Sequence, residues 1–345
     1  MKPYCEFKLE AVSSTFIHGP DTKDKAQWRC STFRGLSRYW FRALVGDLLD
    51  IDQLKMYEGK IFGFTDKKEQ SQGIHFKISD EVCKHDKSYL LPHKLPDKRA
   101  SSSSALLPGS TCTVKFYSPF PGDSCIRELR AAAWSFWLAA SLGGFGQRSR
   151  RGAGSLLIKS LSTNLDGSMP KKAVELDNKE MLKGYLEREV KEARQVLKEY
   201  IADGMKRFKP HSSKGLPRFP QLYAKDVEET TVARTGILEL EVDNESSARS
   251  EIMRTLRQYK SPVFGLPYIK TKKEQNRITS YRHASPLWIH LHPSSKGNSF
   301  FTVQTVMLSD EIKSQINGKV DWQRDCKNVI ERYIKKNIKP CRLSF

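Results

Sequence analysis

Polar and apolar residues alternate with a period of two over YCEFKLEAV (4–12), which predicts a strand. Cys5, Phe7, Leu9 and Ala11 fall on one face, and Tyr4, Glu6, Lys8 and Glu10 on the other. The period then lengthens. In STFRGLSRYWFRALVGDLL (31–49), Phe33, Leu36, Trp40, Leu44 and Leu48 recur at three- and four-residue steps, predicting one helix with an apolar stripe. Strands are expected at GIHFKIS (73–79) and TCTVKFYS (111–118). Between them, the serine, proline and glycine content of KLPDKRASSSSALLPGS (94–110) predicts a long loop. The apolar segment IRELRAAAWSFWLAASL (126–142) reads as a helix with Asp123 or Ser124 as N-cap. The glycine-rich stretch GGFGQRSRRGAGSL (143–156) and the strand SLLIKSLST (155–163) follow. The order β-α-β-β-α-β is the ferredoxin-like one, an antiparallel sheet backed by two helices.

Residues 164–178 read as a boundary, with Asp177 or Asn178 capping the next helix. That helix (179–204) carries the stripe Leu182, Leu186, Val190, Ala193, Leu197 and Tyr200, and Gly204 is placed to close it. Proline and basic residues make 205–225 loop-like. The logic then repeats: strand 234–242, helix 244–259 capped by Asn244 or Ser246, hairpin strands 285–293 and 299–308, and a closing helix at 320–338. CRLSF (341–345) is a candidate fourth strand, and IFGF (61–64) and VFGL (263–266) occupy matching places in the two halves. The predicted fold is α+β: two tandem ferredoxin-like (RRM-like) modules with insertions, over 1–165 and 178–345, the second carrying a helical insertion.

The chain of 345 residues is long enough for two such cores. Lysine and arginine number 59 against 39 acidic residues, a net +20 that suits a polyanionic partner, nucleic acid before a membrane surface. A lysine-rich solvated surface is the alternative. The seven cysteines include no CxxC and read as reduced thiols. No apolar run approaches the roughly 18 residues of a membrane span, and MKPYCEFKLEAV lacks a signal peptide's apolar core. A cytoplasmic location is expected, with no cofactor and no metal.

The stretch 143–156 fits neither nucleotide loop. Between Gly146 and Gly152 the Walker spacing is wrong, and Ala153 stands where lysine is needed; Ser149 takes the third glycine of GxGxxG. It also leaves a helix C-terminus, whose partial negative charge disfavours phosphate. Arg148, Arg150 and Arg151 would supply the attraction, while Gly144, Gly146, Gly152 and Gly154 let backbone N–H groups approach a phosphate chain. A helix cap with a flexible turn is the plainer reading. Arg34, Arg38 and Arg42 lie at four-residue steps, preceded by Arg29. Their repulsion, about 0.2–0.5 kcal/mol per pair, calls for an anionic partner or an interhelical carboxylate, and the two arginine sets are expected to form one groove. His290 and His292 share a strand face in an HxH pattern that metals use, without an evident third ligand, and Cys83, His85 and His93 form a weaker cluster. His18, in FIHGPD, is a candidate general base in a ribonuclease.

The loop after the second helix of a βαββαβ unit resembles the RAMP superfamily of CRISPR-associated RNA-binding proteins. TFIHGPD, FRGLSRYWFRALVGD, EGKIFG and RHASPLWI are similar to the first RAMP subunit of type III-B (Cmr) antiviral effectors, from residue 15 to about 292. The resemblance implies a non-catalytic subunit that binds the 3′ region of the crRNA, or its duplex with target RNA, beside other RAMP subunits. It implies RNA contact at Arg34, Arg38 and Arg42, at Arg148, Arg150 and Arg151 with the loop glycines, and at Arg282 and His283. The second module departs from the pattern, with no arginine–glycine loop before CRLSF. The enzymatic alternative within the superfamily is a metal-independent endoribonuclease that processes CRISPR transcripts, using His18.

Overall fold

The computed structural model describes residues 2–19, 25–65, 70–71, 73–92, 101–118, 122–172, 176–202, 216–226, 232–259, 261–264, 285–295, 297, 299–310 and 327–345. The chain runs β1 (Tyr4–Ala11), α1 (Cys30–Val45), α2 (Ile51–Phe62), the short pair β2 (Phe64–Thr65) and β3 (Gln70–Ser71), then β4 (His75–Val82), β5 (His85–Tyr89), β6 (Ser102–Leu106) and β7 (Thr111–Tyr117). Next come α3 (Asp123–Leu142), β8 (Leu156–Thr163), α4 (Lys179–Ala202), β9 (Ala233–Leu240), α5 (Glu245–Gln258), β10 (Leu287–Pro293), β11 (Phe300–Met307) and α6 (Asn328–Tyr333).

The first sheet has the order β4-β7-β1-β8, all antiparallel, with the first strand central as the βαββαβ pattern requires. Alternation decides its faces. Cys5, Phe7 and Leu9 join Cys112, Val114 and Phe116 in a core completed by Phe33 and Trp40 of α1 and by Phe136 of α3. The second sheet, β10-β11-β9, repeats this order, and α5 and α6 contribute Ile252, Leu256, Ile330 and Tyr333 to its core. CRLSF takes the fourth position only in outline. Arg342 bridges Gly236 and the Leu343 N–H donates to the Thr235 carbonyl at 2.9 Å, but Pro340 has no N–H to lengthen the ladder.

Three expectations need correction. The helix predicted over 31–49 ends early, and a second helix that was not expected follows it. α1 stops at Val45, and Asp50 opens α2 with a capping box: its carboxylate accepts from the Gln53 N–H at 2.9 Å while the Gln53 side chain accepts the Asp50 N–H at 3.2 Å. The long loop of 94–110 contains β6, which pairs with β5 from His85↔Leu106 to Tyr89↔Ser102; residues 94–100 lie outside the described part. The first residue of α3 is Asp123 itself, so its N-cap position is Gly122. Gly204, residues 320–326 and Gly265–Leu266 also lie outside the described residues.

The stripe predicted for α4 is buried throughout. It packs on the helices of the first sheet. Trp137 donates its indole N–H to the Tyr185 hydroxyl at 3.1 Å, and Arg194 donates to both Asp47 oxygens (2.7 and 2.5 Å) and to the Leu44 carbonyl.

Candidate nucleic-acid interface

The glycine-rich loop is a tightly necked structure. Its two ends pair back to back, with the Phe145 N–H donating to the Gly154 carbonyl at 2.9 Å and the Gly154 N–H to Ser14 at 3.1 Å. Gly154 has φ +66°, and a Cβ there would lie 1.9 Å from the Phe145 carbonyl oxygen. Gly146, φ +88°, lies against the Phe16 carbonyl, which a Cβ would meet at 2.4 Å, and the next N–H, of Gln147, bonds that carbonyl. Gly144 faces the Ser149 and Ala153 carbonyls, and Gly152 packs beside Ile252 of α5 and Leu291 of β10. Buried Ser13 donates to the Gly152 carbonyl at 2.7 Å, and the Ser155 hydroxyl accepts the Leu291 N–H at 2.9 Å. These glycines are required first by the loop's own closure.

The last turn of α3 is sealed from the second sheet. His290 Nδ1 donates to the Gly143 carbonyl at 2.6 Å, and His292 Nε2 to the Ser141 carbonyl at 3.1 Å. Both rings are fully buried, and burial pushes their pKa values down, that of His292 to about 4. The HxH pattern is therefore a helix C-cap. Among the described residues no group of three His, Cys, Asp or Glu could hold a metal ion. His93 of the weaker cluster lies outside the described residues, and Cys83 has Glu81 as a hydrogen-bond partner at 3.9 Å.

These histidines have a pH consequence. Unfolded imidazoles take up a proton near 6.5, whereas folded His292 resists it to about 4 and burial makes His290 resist it as well. Between these values the unfolded chain binds more protons, so stability falls as pH falls and the contribution is complete above 6.5. The expected slope is about 1.4 kcal/mol per pH unit for each histidine. Denaturation midpoints of wild type and His292→Gln between pH 4.5 and 7 should show a shallower acid loss in the variant. Superimposable profiles would refute the cap.

The loop arginines have three different settings. Arg148 is exposed and adopts a left-handed conformation, φ +59°, at the start of the 3₁₀ turn Ser149–Arg151. Arg150 is half-buried: its guanidinium stacks 4.4 Å from the Trp288 ring and 5.6 Å from that of Tyr39, and it donates to the Ser285 carbonyl. Arg151 is buried against the Ser285 hydroxyl at 3.4 Å, and burial lowers its pKa to about 10, so it stays charged. Of the three, only Arg148 is exposed. Arg151 supports the loop from beneath, and Arg150 bolts it to β10.

The arginine stripe of α1 found its interhelical carboxylate. Glu58 of α2 is 3% exposed and accepts from Arg38 at 2.6 Å and from Arg42, whose side chains remain 34% and 41% exposed. Arg34 lies over the Phe76 ring at 5.4 Å and donates to the Ile74 carbonyl at 3.4 Å. The stripe thus turns towards α2 and β4, while Arg150 turns towards Tyr39 and Trp288; the single groove expected of them is two settings on different sides of α1. Glu58 was not foreseen, although the spacing Asp50-x-x-Gln53 announces the helix that carries it. Arg29 donates to the His18 carbonyl at 2.7 Å. His18 donates from Nε2 to the Ser104 carbonyl at 2.8 Å, leaving its buried Nδ1 without a hydrogen-bond partner among the described residues. It borders a shallow pocket with Phe16, Ile17, Thr32, Gly146 and Gln147. Arg282 and His283 lie outside the described residues.

A model of the RAMP superfamily matches residues 8–157. Two Pyrococcus furiosus proteins are relatives. CRISPR system Cmr subunit Cmr1-1 is 28% identical over 298 residues, 82% of this chain and 81% of that protein. Cmr subunit Cmr1-2 is 30% identical over 180 residues, 45% of this chain and 95% of that protein. The crystal structure of apo Cmr1 from the same organism superposes with a TM-score of 0.54 at 22% identity, covering 89% of this chain and 88% of that one. A chain of the type III-B Cmr-beta complex bound to cognate target RNA superposes with a TM-score of 0.57 at 11% identity, covering 97% and 99%. At these identities the structural likeness concerns the fold. No helix among the described residues is long and apolar enough to cross a membrane.

Proposed function

This chain belongs to the RAMP superfamily, and we propose that it is a non-catalytic, RNA-binding subunit of a type III-B CRISPR (Cmr) effector. It would contact the 3′ region of the crRNA, or the crRNA–target duplex, beside other RAMP subunits, through an N-terminal module (1–165) and a C-terminal module (178–345). The observation that carries this reading is Arg148. An exposed arginine holds a left-handed backbone at the head of a loop whose neck is pinned on every side. A non-glycine residue there costs about 1 kcal/mol of strain, and strain of this kind collects at functional sites. Arg38, Arg42 and Arg150, each partly exposed, would add electrostatic attraction, and the +20 net charge agrees with a polyanionic ligand. Arg34, Arg282 and His283 complete the proposed contact set.

Arg148→Gly separates function from folding. The variant should be as stable as wild type or up to about 1 kcal/mol more stable, yet bind single-stranded RNA less tightly, with a salt slope smaller by about 0.7 for one lost phosphate contact. Unchanged affinity and slope would reject the loop as an RNA clamp. The enzymatic alternative rests on the free Nδ1 of His18. Pure protein incubated with CRISPR repeat RNA should leave it intact, and cleavage that disappears in His18→Ala would replace the proposal by a ribonuclease.

A further inference from the structure

Among the described residues, α1 and α3 pack on one face of the first sheet, and the other face carries an ordered pattern. At one end, Tyr4 of β1 stands directly opposite Tyr117 of β7, and Tyr117 stands opposite His75 of β4. Three flat rings therefore form a row across three adjacent strands, on the side opposite to Cys5, Phe76 and Phe116 of the core. All three are partly exposed, and the His75 and Tyr117 ring centroids are 5.4 Å apart. The next row along the strands is Glu6, Lys115 and Lys77, and the one after it begins with Lys8. Lys8 and Lys77 are exposed. Lys115 Nζ lies 4.2 Å from the Tyr4 ring centroid and 3.8 Å from Glu6, while Lys159 pairs with Glu10 at 3.1 Å. Four lysines thus face two carboxylates beside an aromatic row.

We infer that this open face is a second RNA site, a stacking platform for two or three unpaired nucleotides, in addition to the glycine-rich loop. The inference rests on the RNA-binding reading above. Successive bases along an extended strand can lie on the rings of Tyr4, Tyr117 and His75, because every base has a π-face and such stacking needs no particular sequence. The backbone then runs over the neighbouring row, where Lys77 and Lys115 meet phosphates. Lys115 leaves the Tyr4 ring and exchanges Glu6 for a phosphate oxygen, which uncovers the ring for a base. Duplex RNA, whose bases are already stacked, has no use for this platform. The ligand is therefore single-stranded RNA.

The test is fluorescence anisotropy of the full chain with a labelled ten-nucleotide oligouridine and with a duplex of equal length. Tyr4→Leu/Tyr117→Leu keeps apolar bulk and removes the flat faces, so thermal unfolding checks that the fold is retained; Tyr117→Phe keeps the face. Loss of each ring should weaken oligouridine binding about tenfold. The salt slope and duplex affinity should be unchanged, and Tyr117→Phe should bind as wild type. Lys77→Ala/Lys115→Ala should instead lower the slope. Wild-type oligouridine affinity in the double Leu variant overturns the platform. If Arg148→Gly still weakens binding, the RNA-binding subunit reading survives that result. A wild-type chain that binds no RNA would sink both.

Discussion

Gly154→Ala should destabilise the protein by about 2–5 kcal/mol, the sum of a left-handed alanine and an overpacked contact. The substitution places a methyl group 1.9 Å from the Phe145 carbonyl oxygen, and the atom it meets is backbone, which cannot turn aside as a side-chain end would. Relief requires opening the neck, where Phe145 and Gly154 are hydrogen-bonded and where Gly154 also bonds Ser14. Gly297 supplies the control. It too is left-handed, φ +71°, but a Cβ there meets nothing within 4 Å, so Gly297→Ala should lose only the conformational part, about 1 kcal/mol. Denaturation midpoints of the two variants separate closure from backbone preference. Equal losses would mean that the neck adjusts freely, and the loop could not then hold Arg148 in its strained conformation.

Much of the fold is readable from periodicity because burial and period coincide. The stripes of α1, α3 and α4, the alternation in β1 and β7, and the repeated strand orders all follow from which positions need covering. The failures have physical causes. Ser102–Leu106 is a strand because β5 pairs with it, a long-range condition that the polar run SSSAL does not announce. α2 is missed because the helix expected over 31–49 leads directly to the strand expected at 73–79, although Asp50 and Gln53 mark a new helix start. The candidate site was legible as a set of residues and less so as a set of roles. Phosphate approach and neck closure demand the same glycines, and local sequence cannot tell them apart. The partner of Arg38 and Arg42 lies on a helix reached through a turn, and the sinking of Arg151 depends on Ser285 in the other half of the chain. His290 and His292 share a strand face in a pattern that metals use; their partners are main-chain carbonyls at the end of α3, which lies far away in sequence.

Arg249→Met should cost about 3–5 kcal/mol, comparable to breaking other buried ion pairs by removing one partner. Arg249 is 0% exposed and Glu245, one helical turn before it, is 11% exposed, with 3.3 Å between Nη1 and the carboxylate. The same guanidinium donates to the Tyr89 carbonyl at 2.7 Å and lies 5.4 Å from the Phe16 ring. The other Glu245 oxygen accepts from Ser14 at 2.5 Å, and Ser14 in turn accepts from Ser88 at 2.8 Å. Through this one knot α5 is tied both to the β5–β6 hairpin and to the chain leaving β1. Methionine fills most of the volume, so the loss reports a stranded carboxylate more than a cavity. Adding Glu245→Gln removes that charge, and the double variant should recover part of the stability; a coupling energy near zero in the double-mutant cycle would show the pair to be incidental. The knot also reaches the loop. Ile252, on the same helix as Arg249, packs against Gly152, so a loosened α5 withdraws one wall of the turn that carries Arg148. Arg249→Met should therefore weaken RNA binding although the buried guanidinium touches no ligand, and Glu245→Gln should restore part of that affinity along with the stability.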